Sequence, residues 1–493
     1  MLVMKIYLLN PPFVENFVRC GRWQGAAARS GGLDYPKWLA YATGLLEKEH
    51  LVKLVDAPAS KLHTVDIIND VKQFQPDLVV VETNFSSLGN DIGVTQKIKE
   101  ACGATTVMVG PPVACFPDKI LGTDGIDILA LYEYDFTLLG VAGALEQGLP
   151  LKNVHGISYK ENEQIIHNPI REYTTSEDLD RIPFVSSVYK RHLNIKDYYL
   201  SQTLYPEVQI FTGRGCPFHC TFCSWPENLM GRKYRSRTAD NIVDEFEYIC
   251  QNLPEVKEIF IEDDTFTVNK NLVLDVCRKI KERKLDITWS CNARATLDYS
   301  TLQEMKSAGC RLLIVGYESG NDEILQTIRK GVDTRQMRTF TKDAKKAKLM
   351  VHGDFIIGLP GETKETAEQT LRFIRELKPN ILQVAVATPI PGTKFYDWAK
   401  ENGYLLVDNL EESIDQSGYQ KCILSYPDFT RVDIEHYVNR ALKEYYLRPS
   451  FVPVALSNVL RRHGLHELKI MLMSAKVFIE YLGAEKHQAI RVS

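Results

Sequence analysis

With 493 residues and 44% apolar side chains, the chain can bury several cores, at about 150 residues to a domain, and is too apolar to be a disordered tail. Lysine and arginine number 59 against 63 aspartates and glutamates, a formal charge of −4, which excludes the basic footprint of bulk nucleic-acid binding. No run approaches the length of about 18 apolar residues that a membrane-spanning helix needs, and residues 1–12, a short apolar run closed by two prolines, lack the marks of a secretory signal, so a cytoplasmic location is expected.

Residues 5–9, 52–56, 78–82, 106–109 and 126–129 are short β-rich runs separated by helix-length segments. This alternation predicts an α/β fold, with a Rossmann-like doubly wound parallel sheet over residues 1–150. Ligands of such sheets sit at the carboxyl ends of the strands. The candidate rim is therefore Asn10-Pro11-Pro12, the Ser86/Ser87 loop, Gly110-Pro111-Pro112 and Tyr132-Glu133-Tyr134-Asp135. Residues 151–204 read as a linker with a hairpin around 160–164. Strand–helix alternation resumes over 205–403, with strands at 208–212, 258–261, 288–290, 312–316, 352–357 and 382–387. These six units fit a partial (β/α)6 TIM-type barrel, whose active site lies at the strand carboxyl ends. Residues 404–493 read as a small, mainly helical region, basic and aromatic over 437–446 and 456–481.

The chemistry is concentrated in Cys216-Pro217-Phe218-His219-Cys220-Thr221-Phe222-Cys223, directly after the first barrel strand, where Gly213 and Gly215 permit a tight loop. Three thiolates at Cys-x3-Cys-x2-Cys spacing can each hold one iron of a [4Fe–4S] cubane and leave the fourth iron open. The competing reading is a zinc site completed by His219. Against it stand the lack of a second Cys or His pair at zinc spacing, the aromatic before the last cysteine and the loop's place at a barrel strand end. The other eight of the eleven cysteines read as buried thiols.

On this motif the region from 208 to about 403 resembles the radical S-adenosylmethionine (radical SAM) superfamily. The resemblance implies that Cys216, Cys220 and Cys223 hold the cluster and that its open iron chelates S-adenosylmethionine, which is then cleaved to a 5′-deoxyadenosyl radical. By position it also implies cofactor contacts at successive strand ends. Glu262-Asp263-Asp264 stands where the family often has a glycine-rich segment for the methionine amino group, although the glycines are absent here. Asn292 and Arg294 follow, the arginine suited to the methionine carboxylate. Glu318 is placed for the ribose and Gly358 for close approach to the adenosine. A salt-bridged barrel rim is the bland alternative for any one of these charges.

A doubly wound domain ahead of such a barrel resembles the cobalamin-binding domain of one subgroup, which implies cobalamin contacts at Pro11, Ser86, Ser87, Gly110 and Glu133. No Asp-x-His-x-x-Gly element is present, so no histidine from that motif is expected beneath the cobalt. The alternative is a supporting domain without cobalamin. Trp23, in Arg19-Cys20-Gly21-Arg22-Trp23, reads either as cover for a corrin face or substrate, or as a packing residue.

Over almost its whole length the chain resembles cobalamin-type radical enzymes of hopanoid side-chain biosynthesis. The match runs through Tyr35-Pro36-Lys37-Trp38-Leu39-Ala40, Tyr189-Lys190-Arg191, Thr288-Trp289-Ser290-Cys291-Asn292-Ala293 and Gly316-Tyr317-Glu318-Ser319-Gly320-Asn321. Related members methylate unactivated carbon, including a glutamine of methyl-coenzyme M reductase. The expected function is thus cobalamin-dependent C-methylation at an sp3 carbon of a protein or peptide side chain or of a lipid, fed by an external one-electron donor. A hopanoid-type rearrangement of a lipid side chain and a non-catalytic iron–sulfur/cobalamin sensor are the alternatives. Residues 457–481, with Arg461, Arg462, His463 and His466 near Met471, Met473 and Phe478, read as a helix packed on the barrel or touching a membrane surface.

Overall fold

The structure is a computed structural model and describes residues 3–21, 25–28, 30–453 and 456. Trp23 and the segment 457–481 lie outside the described residues. Two parallel sheets carry the molecule. The first contains β1 (Lys5–Asn10), β2 (Leu51–Asp56), β3 (Leu78–Glu82), β4 (Thr105–Val109) and β5 (Ile128–Ala130), in the order β2-β1-β3-β4-β5. Its strands are nearly continuous apolar runs because both faces are covered. Tyr7, Leu9, Val79 and Val81 enter one core, and Ile6, Leu8, Leu78 and Val80 the other.

The hairpin expected near 160–164 is present as β6 (Ile157–Glu161) and β7 (Gln164–His167), but it does not stand apart as a linker. Its first strand pairs antiparallel with β5 and extends the first sheet. The three-residue β5 is thereby shielded from being an open edge.

The second sheet contains β8 (Glu207–Ile210), β9 (Glu258–Ile261), β10 (Trp289–Ala293), β11 (Cys310–Glu318), β12 (Met350–Ile357) and β13 (Ile381–Val386), all parallel and in sequence order. This is the incomplete barrel expected, open between β8 and β13. An open barrel leaves two strand edges with unpaired backbone groups. Tyrosine hydroxyls close both. Tyr35 donates to Glu207 O (2.8 Å), Tyr189 to Gln209 O (3.0 Å) and Tyr41 to Phe211 O (3.3 Å), while Phe211 N donates to Tyr41 (2.7 Å). On the far edge Tyr446 donates to Leu382 O (2.8 Å) and accepts from Leu382 N (2.9 Å).

Helix α1 (Lys37–Leu46), buried along its whole length, lies between the sheets and joins them. Lys37 Nζ donates to Gln209 Oε1 (2.7 Å) in β8. Two further ties are buried arginine–carboxylate forks. Arg214 bonds both oxygens of Asp135 (2.6 and 3.1 Å) and lies over the Trp38 ring, and Arg235 bonds both oxygens of Glu133 (2.8 Å each). Each fork runs from the strand pair Gly213–Arg214 and Arg235–Ser236, beside the cysteine loop, to the rim of the first sheet.

Beyond the barrel the chain is not helical at once. Residues 405–425 form an irregular arm before α2 (Arg431–Tyr446). Gln420 donates to Thr388 Oγ1 (2.6 Å), at the barrel mouth. Farther along, Gly418 O accepts from Ala27 N (2.8 Å), Ser413 meets Ser86 (3.3 Å) and Glu411 accepts from Gly89 N (2.7 Å), all in the first domain. Among the described residues no helix is long and apolar enough to cross a membrane.

Candidate active site at the barrel mouth

The cysteine loop leaves β8 through a turn that demands glycine. Gly215 has φ +87°, and a Cβ there would run into the carbonyl of Lys233. The loop is then pinned along its length. Cys216 N donates to Gly231 O (3.2 Å), Thr221 N to Ile328 O (3.0 Å) and Phe395 N to Thr221 O (3.0 Å), while Arg232 holds the Phe218 carbonyl. A one-turn π-helix, Pro226–Met230, follows the loop. Such turns gather at functional sites.

Cys216, Cys220 and Cys223 all line one cavity of about 150 Å³, and β9 to β13 each contribute to its wall. Asp264 and Thr265 come from the end of β9, Asn292 and Arg294 from β10, Gly316 and Glu318 from β11, Asp354 and Leu359 from β12, and Thr388 from β13. All eleven cysteines are outside disulfides. Burial pushes the Cys216 thiol up to about 11, with Asp264 adding to the shift, so a metal would take this sulfur by displacing its proton. Among the described residues no three His, Cys, Asp or Glu side chains are gathered around a single ion, the arrangement a mononuclear zinc site needs. Three thiols spread along one loop at a common cavity suit a larger, multi-iron group.

Several polar atoms of the wall are left over by the fold. Arg294 lies with its guanidinium 3.5 Å from the centre of the Phe218 ring and bonds the Lys330 carbonyl, yet its Nε is buried without a hydrogen-bond partner. Glu318, held at φ +67°, pairs through Oε1 with Lys330 Nζ (2.6 Å), whereas its Oε2 is buried and unsatisfied. Thr265 Oγ1 is in the same condition. Buried unsatisfied groups cost about 1–3 kcal/mol each, and their collection at one cavity marks a place for a polar ligand. Below Asp354, on the same strand face, His352 Nε2 lies 3.2 Å from Asp354 Oδ1. Burial pushes the His352 imidazole down to about 4, so it is neutral at physiological pH.

The residues expected from sequence therefore divide. Asp264, Asn292, Arg294 and Glu318 reach the cavity with the three cysteines. Asp263 instead holds strands together, accepting from Thr212 N (2.6 Å), Thr212 Oγ1 (2.6 Å) and Tyr234 (3.3 Å). Glu262 is buried and joins the ladder through its N–H to Ile210 O (2.9 Å). Gly358, φ +99°, is placed to bond Glu362 and Tyr426, and its neighbour Leu359 is the one in the wall. Lys330, Asp354 and Trp225 also line the cavity and were not anticipated. Lys330 lies twelve residues from its partner Glu318, a separation without periodicity to betray it.

The rim of the first sheet has a different character. Ser87 donates to Asp91 (2.6 Å), Ser86 meets Ser413, Glu133 is forked to Arg235, and Pro11 is buried. Gly110, φ +118°, is required because a Cβ would strike the Thr83 carbonyl. Arg19 returns over the gap between β1 and β3, bonding both oxygens of Asp91 (2.7 and 3.1 Å) and Asn10 Oδ1 (3.0 Å). No histidine occurs in the loops that follow β1, β3, β4 and β5. The rim nevertheless abuts the barrel mouth. Trp225, in the cavity wall, donates to Gly21 O (3.2 Å), and Cys115 Sγ lies 3.6 Å from Pro391 O. The carboxyl ends of both sheets thus lie against each other beside the cavity.

The radical SAM superfamily description matches residues 210–374. The chain is 32% identical over 469 residues to the uncharacterized methyltransferase PH0819 of Pyrococcus horikoshii, covering 94% of this chain and 96% of that one. It is 25% identical over 479 residues to the cytidylyl-2-hydroxyethylphosphonate methyltransferase of Streptomyces wedmorensis, covering 86% of each. In fold it is similar to the radical S-adenosylmethionine methyltransferase TsrM of Kitasatospora setae, a structure with cobalamin and a [4Fe–4S] cluster bound (TM-score 0.73, 15% identity, 97% of this chain and 99% of that one). It is likewise similar to the cobalamin-dependent S-adenosylmethionine radical enzyme OxsB with aqua-cobalamin and S-adenosylmethionine bound (TM-score 0.70, 16% identity, 99% of this chain and 72% of that one).

Proposed function

The chain belongs to the radical SAM superfamily, and from that membership we propose that it is a cobalamin-dependent radical SAM C-methyltransferase acting on an unactivated sp3 carbon. One observation carries the reading: the three motif cysteines, on the loop after β8, share a cavity with the ends of the other five barrel strands, and Trp225 in its wall bonds Gly21 in the rim of the Rossmann-like domain. The methyltransferase names of the relatives support methyl transfer, and the likeness in fold to TsrM, with cobalamin and a [4Fe–4S] cluster bound, and to OxsB, with aqua-cobalamin and S-adenosylmethionine bound, supports these cofactors here. The phosphonate substrate named for the Streptomyces relative has an ethyl backbone, in keeping with an sp3 target.

When bound, the cluster and cobalamin supply reductive cleavage of S-adenosylmethionine and delivery of a methyl group. The chain's own residues bind and orient. Cys216, Cys220 and Cys223 present the thiolates. Arg294, with one nitrogen still to be satisfied, suits the methionine carboxylate, and the unsatisfied Glu318 Oε2 suits the ribose hydroxyls. Phe218, Phe222, Ile314, Ile356 and Phe395 wall off water that would quench a radical. The Arg214 and Arg235 forks keep the two carboxyl rims at a constant separation, as a transfer between two cofactors requires.

The test is anaerobic reconstitution with iron, sulfide and cobalamin, then incubation with reductant and methyl-deuterated S-adenosylmethionine. Label in the corrinoid fraction together with 5′-deoxyadenosine supports the reading and opens a screen of substrates, beginning with glutamine-bearing peptides of methyl-coenzyme M reductase. Production of 5′-deoxyadenosine while the corrinoid stays unlabelled overturns methyl transfer.

A further inference from the structure

The amino face of the barrel, opposite the cavity, carries an open hollow of about 640 Å³. It lies where the helix Lys364–Leu377 ends ahead of β13 and where α2 ends beside Leu382. Four of its six lining side chains are cations, Arg375, Lys378, Lys443 and Arg448, against the single acid Glu444. Glu444 is already engaged by Arg375 (2.8 Å) and Arg440 (2.6 Å). Lys378 and Arg448 form no ion pair among the described residues. Arg448 lies over the Tyr445 ring, 4.0 Å from its centre, and keeps Nε and Nη2 buried without a hydrogen-bond partner.

Helix carboxyl ends favour cations, which offset the dipole. Lys345 already meets that need, donating to Leu377 O (2.5 Å). Burial, with Lys378 and Arg448 nearby, pushes the Lys345 ammonium below the ordinary lysine value. Cations that disfavour a neighbour's charge are the mark of positive charge in local excess. That excess stands on a chain whose formal charge is −4.

The same stretch exposes aliphatic side chains. Leu447, in the wall of the hollow, is 65% exposed, and Val452 and Leu456 are each 56% exposed. Of the ten large apolar side chains exposed among the described residues, three fall within residues 447–456, beside the cations. The sequence that follows does not supply the missing negative charge, since residues 457–481 contain four lysines and arginines against two glutamates. A soluble anion would satisfy the cations and leave the aliphatic side chains in water. An anionic lipid surface complements both, its headgroups attracting the charges while the apolar side chains enter the headgroup layer.

We propose that this face is a peripheral membrane-docking surface that takes the phosphate headgroups of anionic lipids. The contact is independent of the cofactor chemistry. Docking by the amino face turns the cavity away from the bilayer and leaves its mouth open to solution.

The experiment is co-sedimentation of the full-length protein with vesicles of phosphatidylcholine alone and of phosphatidylcholine and phosphatidylglycerol in equal parts, for the wild type and two double variants. K378E/R448E reverses two cations of the hollow. K378E/L447E changes only exposed side chains and keeps the test decisive if loss of Arg448 from the Tyr445 ring unfolds the first variant, which a melting curve reveals. The wild type is expected to sediment with the anionic vesicles and not with the neutral ones, to be released by added salt, and to bind about tenfold or more tightly than either folded variant. A wild type that stays in solution with anionic vesicles overturns the proposal and leaves the hollow to a soluble anion or an acidic protein. Equal binding to neutral vesicles overturns it as well. Undiminished binding in a folded variant assigns the membrane contact to another part of the chain, and this too overturns the docking face.

Discussion

The two parallel sheets obey the same rule of construction and end differently. At the carboxyl rim of the first, Ser87, Glu133, Arg19 and Asp91 are engaged with one another or with the barrel. At the rim of the second, Arg294 Nε, Glu318 Oε2 and Thr265 Oγ1 are buried beside a cavity without partners. Glu82 Oε2, at the end of β3, is the exception on the first rim, buried without a partner; a rim that is mostly satisfied serves rigid placement, whereas a cavity lined by unsatisfied atoms awaits a ligand. The difference is one of degree: three unpartnered buried atoms gather at the barrel cavity, whereas the first rim spends most of its polar groups on its own packing and on the barrel.

The comparison breaks most completely at the cysteines. Replacing Cys216, Cys220 or Cys223 by Ala is expected to abolish the cluster absorbance and lower 5′-deoxyadenosine formation by on the order of a thousandfold, since an open-iron cubane needs all three thiolates. If C220A keeps both, the barrel rim is not the reacting side. Next in size is the tie between the rims. Arg214→Met leaves Asp135 buried and unpaired, and should cost about 3–5 kcal/mol of folding free energy by denaturant titration.

The contrast between rims is sharpened by a matched pair of substitutions. Glu318→Gln should weaken S-adenosylmethionine binding by about tenfold in equilibrium titration, one charge-assisted hydrogen bond's worth. Ser87→Ala, whose hydroxyl is already given to Asp91, should change cobalamin affinity by less than about threefold by the same criterion. A larger loss at Ser87 than at Glu318 would invert the assignment. Comparable in size to the Glu318 effect is Tyr41→Phe, which leaves Phe211 N, just past the end of β8, without its acceptor and should lower stability by about 1–2 kcal/mol with unchanged cluster content.

Buried acids set the last and smallest effect, on pH. Burial pushes Asp56 up to about 6, Glu82 to about 7, and Glu207 and Glu362 to about 8. In the unfolded chain these groups lose their protons near pH 4, so between there and about pH 8 the folded state binds more protons than the unfolded one. Stability must then fall as pH rises through that window. Glu362→Gln should flatten the fall in melting temperature between about pH 5 and pH 8. A steeper fall in the variant would show that Glu362 is ionised in the folded protein.

Local patterns carried much of this. The alternation of β-branched runs with helix-length segments marked both parallel sheets, because strands buried on two faces are nearly continuous apolar runs, as residues 78–81 are. Cys-x3-Cys-x2-Cys announced its chemistry because three ligands on one loop are close in sequence as well as in space. Strand ends brought Asp264, Asn292, Arg294 and Glu318 to the cavity by position alone. Three-dimensional packing decided what remained. Which of Glu262, Asp263 and Asp264 faces the cavity depends on strand pairing, and Asp263 turned to Thr212 and Tyr234. That Ser86 and Glu133 are structural joints follows from Ser413 and Arg235, which lie 327 and 102 residues away. Sequence determines what each residue is able to do, and only the fold, through contacts between distant segments, decides which of those capacities is left free for a ligand.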